Sequence, residues 1–163
     1  MQKTLTTLVF VALAAAPALA EGDAEAGKKV FNQCQTCHVV ANEAGEILAG
    51  KAAKTGPNLY GIVGRVAGTQ AEFKGYGDSL VALGATGFTW NEEDFVVYVQ
   101  NPGKFLKDKL GDTKAKSKMS FQLKKEDDAR NVWAFLASLS PAPAADAAAT
   151  GAAPAEGTAA PSN

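Results

Sequence analysis

Cys34-Gln35-Thr36-Cys37-His38 is the stretch on which the fold turns. Two cysteines separated by two residues, with a histidine directly after, form the attachment pattern of a c-type haem. Each thiol can add across one vinyl group of the porphyrin. The adjacent histidine is then held beneath the ring plane, with its imidazole at the iron. The motif uses both cysteines and the single histidine of the 163-residue chain. Zinc wants four ligands drawn from Cys and His, and the chain has only these three. A thioredoxin-like redox pair needs a strand–helix setting in a parallel sheet, and the flanks lack strand alternation. A structural disulfide leaves His38 without a role. The chain is therefore expected to carry one haem c, bound covalently through Cys34 and Cys37, with His38 as an axial iron ligand.

The two ends differ from the middle. Residues 1–20 have a weakly positive start at Lys3, an apolar run from Leu8 to Ala16, and the small-X-small sequence Ala18-Leu19-Ala20. This is the pattern of a secretory signal peptide, expected to be cleaved before Glu21. The run is short for a bilayer span, which needs roughly 20 apolar residues. Export places the mature chain in an oxidising compartment, the periplasm, where thioethers keep both sulfurs out of disulfide exchange. Residues 140–163 are almost all Ala, Pro, Gly, Thr and Ser, with Asp146 and Glu156 as the only charges. Such a segment has almost nothing to bury and is expected to be a disordered, solvated tail. Residues 21–139 remain as one small domain, for which a bound haem would supply a large apolar plate to pack against.

Within that domain the periodicity predicts helices and loops. A first helix is expected over Asp23–Gln33, with Asp23 at its start and Gly27 in its middle. A mid-helix glycine costs about 1 kcal/mol relative to Ala, which suggests a close approach of another backbone. Thr55-Gly56-Pro57-Asn58 is a turn signal, and glycines punctuate residues 61–77. Short helices are expected over Asp78–Leu83, over Glu92–Gln100 capped by Asn91, and from Pro102 through Leu110. A last helix over Glu126–Leu139 carries the apolar stripe Val132, Phe135, Leu136 and Leu139. No segment alternates as a strand should. The fold class is all-α, with short helices and long loops around one haem.

The second iron ligand decides the chemistry, because an open position permits gas or peroxide chemistry and a filled one favours electron transfer. Beyond the leader the chain has one methionine, Met119, in the polar stretch Lys116-Ser117-Lys118-Met119-Ser120-Phe121. Methionine is usually core filler, but these flanks are too polar for a core segment. Its thioether is a soft, neutral donor suited to haem iron. Lys116 and Lys118 are the competing donors. A His38/Met119 pair would raise the reduction potential and give a carrier of single electrons.

Taken together, the early Cys-X-X-Cys-His, Lys54-Thr55-Gly56-Pro57-Asn58-Leu59, Val63-Gly64-Arg65, Phe88-Thr89-Trp90 and the late Lys-X-Lys-Met resemble the class I cytochromes c. Most of all they resemble the larger bacterial cytochromes c2, and the match spans residues 21–139. The resemblance implies roles for particular residues. Gly27 and Phe31 would pack against Val132 and Phe135. Pro57 would offer its carbonyl to the second ring nitrogen of His38. Arg65, Tyr76 and Trp90 would hydrogen-bond around the haem propionates, with ordinary core packing as the alternative for the two aromatics. Ser117 stands where the family often has a threonine that reaches a propionate, and Phe121 would flank the exposed haem edge. Extra residues between His38 and Pro57, and between Trp90 and Met119, match insertions of the larger cytochromes c2.

Residues 21–139 carry equal numbers of acidic and basic side chains, so net charge excludes nucleic-acid binding more than it selects a partner. Its distribution is uneven. Eight lysines lie between Lys104 and Lys125, against Asp108 and Asp112 alone. A solvated face is the bland explanation; a positive face around the haem edge would steer the protein onto acidic partners. By resemblance the chain is not an enzyme. The resemblance implies a soluble monomer that takes electrons from a cytochrome bc complex and passes them to a photosynthetic reaction centre or a terminal oxidase. A peroxidase or reductase, or a haem subunit of a larger respiratory complex, is the alternative. The first of these needs an open iron position and a spare acid or base above it, which the sequence does not offer.

Overall fold

The structure is a computed structural model and describes residues 22–141. The expected signal peptide, and the expected tail beyond residue 141, lie outside the described residues. Five helices and one short hairpin make up the domain. Helix α1 spans Ala24–Phe31, and Asp23 caps it by accepting from the backbone N–H groups of Glu25 and Ala26. Helix α5 spans Glu126–Leu139, with Glu126, Asp127 and Asp128 in its first turn, where the helix dipole favours negative charge.

α1 and α5 cross at a glycine. A Cβ on Gly27 would overlap the carbonyl of Asn131 and touch Phe135, so the backbones approach as closely as the sequence suggested. Beside this contact the rings of Phe31 and Phe135 pack with centroids 5.5 Å apart. Both are buried, as are Val132 and Leu136. Burying each such side chain stabilises the fold by roughly 1.5–3 kcal/mol.

Helices α3 (Glu92–Gln100) and α4 (Pro102–Leu110) follow each other around Asn101, whose side chain caps α4 through the Lys104 N–H. α4 ends at Gly111, which adopts the left-handed conformation at φ +62°. The buried faces of α3 and α4 bring Tyr98 and Phe105 against Trp90. Helix α2 (Asp78–Ala85) sits on α4. It lies within a long excursion whose two ends are joined by backbone bonds: Gly64 N–H to the Trp90 carbonyl, Trp90 N–H to Arg65, and Ala67 N–H to Phe88.

The all-α class holds, and one short hairpin joins the helices. Strands β1 (Val39–Ala41) and β2 (Ile47–Gly50) pair antiparallel, with a register shift between Val40 and Ala41. Asn42 makes the turn by accepting from the N–H groups of Ala44 and Glu46, and Gly45 takes φ +80°. The strands are too short to alternate visibly, and Val40 is their one fully buried residue. Helix bounds shift slightly: α1 stops at Phe31 and the chain continues as turns through Cys37, while α2 runs two residues beyond Leu83.

Ser140, at the start of the segment read as tail, still holds the domain. Its hydroxyl donates to the Leu136 carbonyl and accepts from the Gly61 N–H.

Candidate haem site

The attachment motif lies directly after α1. Cys34 N–H donates to the Phe31 carbonyl, and the N–H groups of Cys37 and His38 both donate to the Cys34 carbonyl, at 3.1 and 2.9 Å. This run of turns gathers both cysteines and His38 at the end of the helix. Both thiols are free and partly buried. Burial, with the neighbouring Cys37 as the lesser cause, pushes the Cys34 thiol up to about 11. Unmodified, that thiol is poorly nucleophilic at neutral pH.

His38 Nδ1 lies 2.9 Å from the Pro57 carbonyl oxygen. A carbonyl can only accept, so Nδ1 carries the proton and donates. Burial lowers the pKa of His38, with the bond to Pro57 opposing, so the imidazole is neutral. Nε2 therefore presents a lone pair, the state required of an iron ligand. The carbonyl is itself fixed. Asn58, next in the chain, accepts from the Ala41 N–H at 3.0 Å and donates to the Ala41 carbonyl at 2.7 Å, tying the turn to β1. Gly56 lies against the imidazole, and a Cβ there would fall into the ring. Gly56 and Asn58 thus fix the surroundings of His38, a part that neither the turn signal nor the family motif assigned to them.

The remaining residues gather in a second group. Tyr98 Oη meets Ser117 Oγ at 3.5 Å, and Ser117 Oγ accepts from the Met119 N–H at 3.0 Å. Met119 is partly buried against the core. Burial raises the pKa of Tyr98, with the Ser117 bond opposing, so it stays a neutral phenol. Tyr98 is a residue to which sequence reading assigned no role in the site; a phenol at helical spacing with Phe95 and Val99 was its available signal. Trp90 is buried among Phe88, Tyr98 and Phe105. That is the core packing weighed against a polar role, and its indole N–H donates to no described residue.

Arg65 donates to the carbonyls of Tyr60 and Asn58, at 2.9 and 3.1 Å. Burial lowers its pKa, with Tyr76 opposing. Among the described residues no carboxylate lies within ion-pair distance of it. A largely desolvated cation without an anion is costly, and acidic groups of a bound cofactor would supply the missing partner. Tyr76 accepts from the Gln70 N–H at 3.2 Å, which leaves its own O–H free to donate. The donor set thus fits a haem: two free thiols, one neutral imidazole with a lone pair, a thioether, and an unpaired guanidinium with a phenol beside it.

No protein-family model matches the chain. A cytochrome c2 of Cereibacter sphaeroides is 64% identical over 128 residues, covering 78% of this chain and 88% of that one. The chain belongs to the cytochrome c2 family. A cytochrome c2 of Rhodobacter capsulatus is 56% identical over 141 residues, covering 85% of this chain and 98% of the other. The X-ray structure of a cytochrome c2 from Rhodobacter sphaeroides superposes with a TM-score of 0.72 at 63% identity, covering 73% of this chain and 97% of that one. Cytochromes c2 are class I c-type cytochromes with one covalently bound haem c. They carry electrons and are not enzymes, so the peroxidase or reductase alternative falls.

The lysines between Lys104 and Lys125 are not all free. Two of the eight lysines are already paired: Lys104 with Asp108, and Lys109 with Asp94 at 2.6 Å. Lys109 also lies 5.5 Å from the ring centroids of Phe88 and Phe105. Lys107, Lys114, Lys116, Lys118, Lys124 and Lys125 are exposed and make no ion pair among the described residues. Phe121, 37% exposed, lies in the same stretch.

Proposed function

We propose that this chain is a periplasmic shuttle that takes single electrons from a cytochrome bc complex and delivers them to a photosynthetic reaction centre or a terminal oxidase. Cys34 and Cys37 hold the haem, His38 and Met119 are its axial ligands, and Arg65, Tyr76, Trp90 and Ser117 hold the propionate side. The haem supplies the one-electron couple. The protein's residues fix its ligands and shield it from water. His38, oriented by Pro57, keeps one geometry in both oxidation states. The Met119 thioether favours the ferrous state and so raises the potential.

The observation that carries the reading is the His38–Pro57 bond, which leaves Nε2 as a ready ligand. A partly buried thioether on a separate loop accompanies it. The unpaired lysines around Met119 support docking on acidic partners, and the likeness to cytochromes c2 supports the reaction-centre role in particular. Flash-induced oxidation of the reduced holoprotein by purified reaction centres, over a range of salt, tests it. Fast oxidation that falls steeply with salt is expected. Slow, salt-insensitive oxidation would overturn the reaction-centre role and the lysine docking face.

A further inference from the structure

From residue 116 to residue 122 no backbone N–H donates to a backbone carbonyl among the described residues. The loop that carries Met119 is therefore held by side chains. Ser117 bonds the Met119 N–H from within the loop and meets Tyr98 only at 3.5 Å. Lys118 reaches the Gly75 carbonyl at 3.1 Å, but through a long, rotamer-rich stem. The remaining tie is short and rigid: Ser79 Oγ accepts from the Lys116 N–H at 3.0 Å.

Ser79 is the second residue of α2, a helix seated on α4 and anchored by the buried Leu83. Its hydroxyl does not cap its own helix. Gly77 is the cap residue there, and it makes no side-chain capping bond. The bond spans 37 positions of sequence and fixes the entry to the Met119 loop against a packed element.

We propose that Ser79 is a positioning residue for Met119, holding the loop closed so that outside ligands compete poorly for the sixth iron position. This rests on the assignment of Met119 as the axial ligand. Opening the loop breaks the Ser79 bond, so removing the hydroxyl makes opening, and hence exchange, easier.

The test is an imidazole titration of the ferric holoprotein, followed through the methionine–iron absorption band in the red. Ser79→Ala is expected to tighten apparent imidazole binding about threefold to tenfold, the effect of losing one hydrogen bond from the closed state alone. Ser79→Thr keeps the oxygen and is expected to stay within about twofold of wild type. Ser138→Ala, which removes a hydroxyl bonded to the Phe135 carbonyl on α5, is the control for a general loss of stability and is expected to leave the titration unchanged. Wild-type binding by Ser79→Ala would overturn the proposal. So would equal tightening in Ser79→Thr, or in Ser138→Ala. A wild-type ferric protein without the red band would instead overturn the ligation by Met119, and the proposal with it.

Discussion

The two sides of the haem site are built by different means. On the His38 side the holding bonds are largely backbone to backbone: Cys34 to Phe31, His38 to Cys34, Gly56 to Cys37, and Leu59 to Val39. The ligand's own partner is a proline carbonyl, clamped by Asn58. On the Met119 side the loop hangs from Ser79, Ser117 and Lys118 side chains. On the proposed ligation, the difference teaches which ligand would exchange. Opening His38 would mean unmaking turns that belong to the fold; opening Met119 would mean breaking a few side-chain bonds. The first side would then serve attachment and the second would tune the iron.

The largest expected effect comes from removing the attachment itself. Cys34→Ala with Cys37→Ala should abolish covalent haem, seen as loss of haem staining on a denaturing gel. Met119→Leu should keep full covalent haem. It should lose the red band, bind carbon monoxide in the ferrous form, and lower the potential by an appreciable part of the ~0.8 V range that axial ligands span. Equal damage to haem attachment by both changes would erase the distinction between the sides.

Two glycines sharpen it further. Gly56→Ala drives a methyl into the His38 ring, which the Pro57 carbonyl holds at Nδ1, and should destabilise the holoprotein by about 1–3 kcal/mol in denaturant unfolding. Gly77→Ala meets only the Lys118 stem, at 3.3 Å, and that flexible chain can move, so a change of about 0.5 kcal/mol or less is expected. The last effect concerns docking. Lys124→Glu should slow the reaction with the physiological partner severalfold at low salt, on the order of threefold, with little change in potential. Lys109→Glu should slow it less, because the Lys109 charge is already paired with Asp94. Equal slowing by both would contradict a docking face built from the unpaired lysines.

How much of this was legible in the sequence depended on the kind of signal. Motifs with fixed spacing, such as Cys34–His38 and Thr55–Asn58, placed one side of the site directly. Helix α5 was readable to the residue because its acidic first turn and apolar stripe agree. Gly27 was readable because a mid-helix glycine has an energetic cost that needs a reason. The hairpin was not, since three- and four-residue strands with one buried side chain show no alternation. Asn58 and Ser79 were not, because their partners lie 17 and 37 positions away and a serine or asparagine carries no local mark of a distant bond. The pairing of Lys109 with Asp94 was hidden likewise, whereas Lys104 and Asp108 lie one turn apart on a helix the sequence shows.

The most direct test is the proton NMR spectrum of the reduced holoprotein. A methionine bound to the iron sits in the ring current of the porphyrin, and its methyl signal moves far upfield. One such signal is expected in the wild type and none in Met119→Leu, with covalent haem intact in both. A wild-type spectrum without it would contradict a site whose second ligand is Met119.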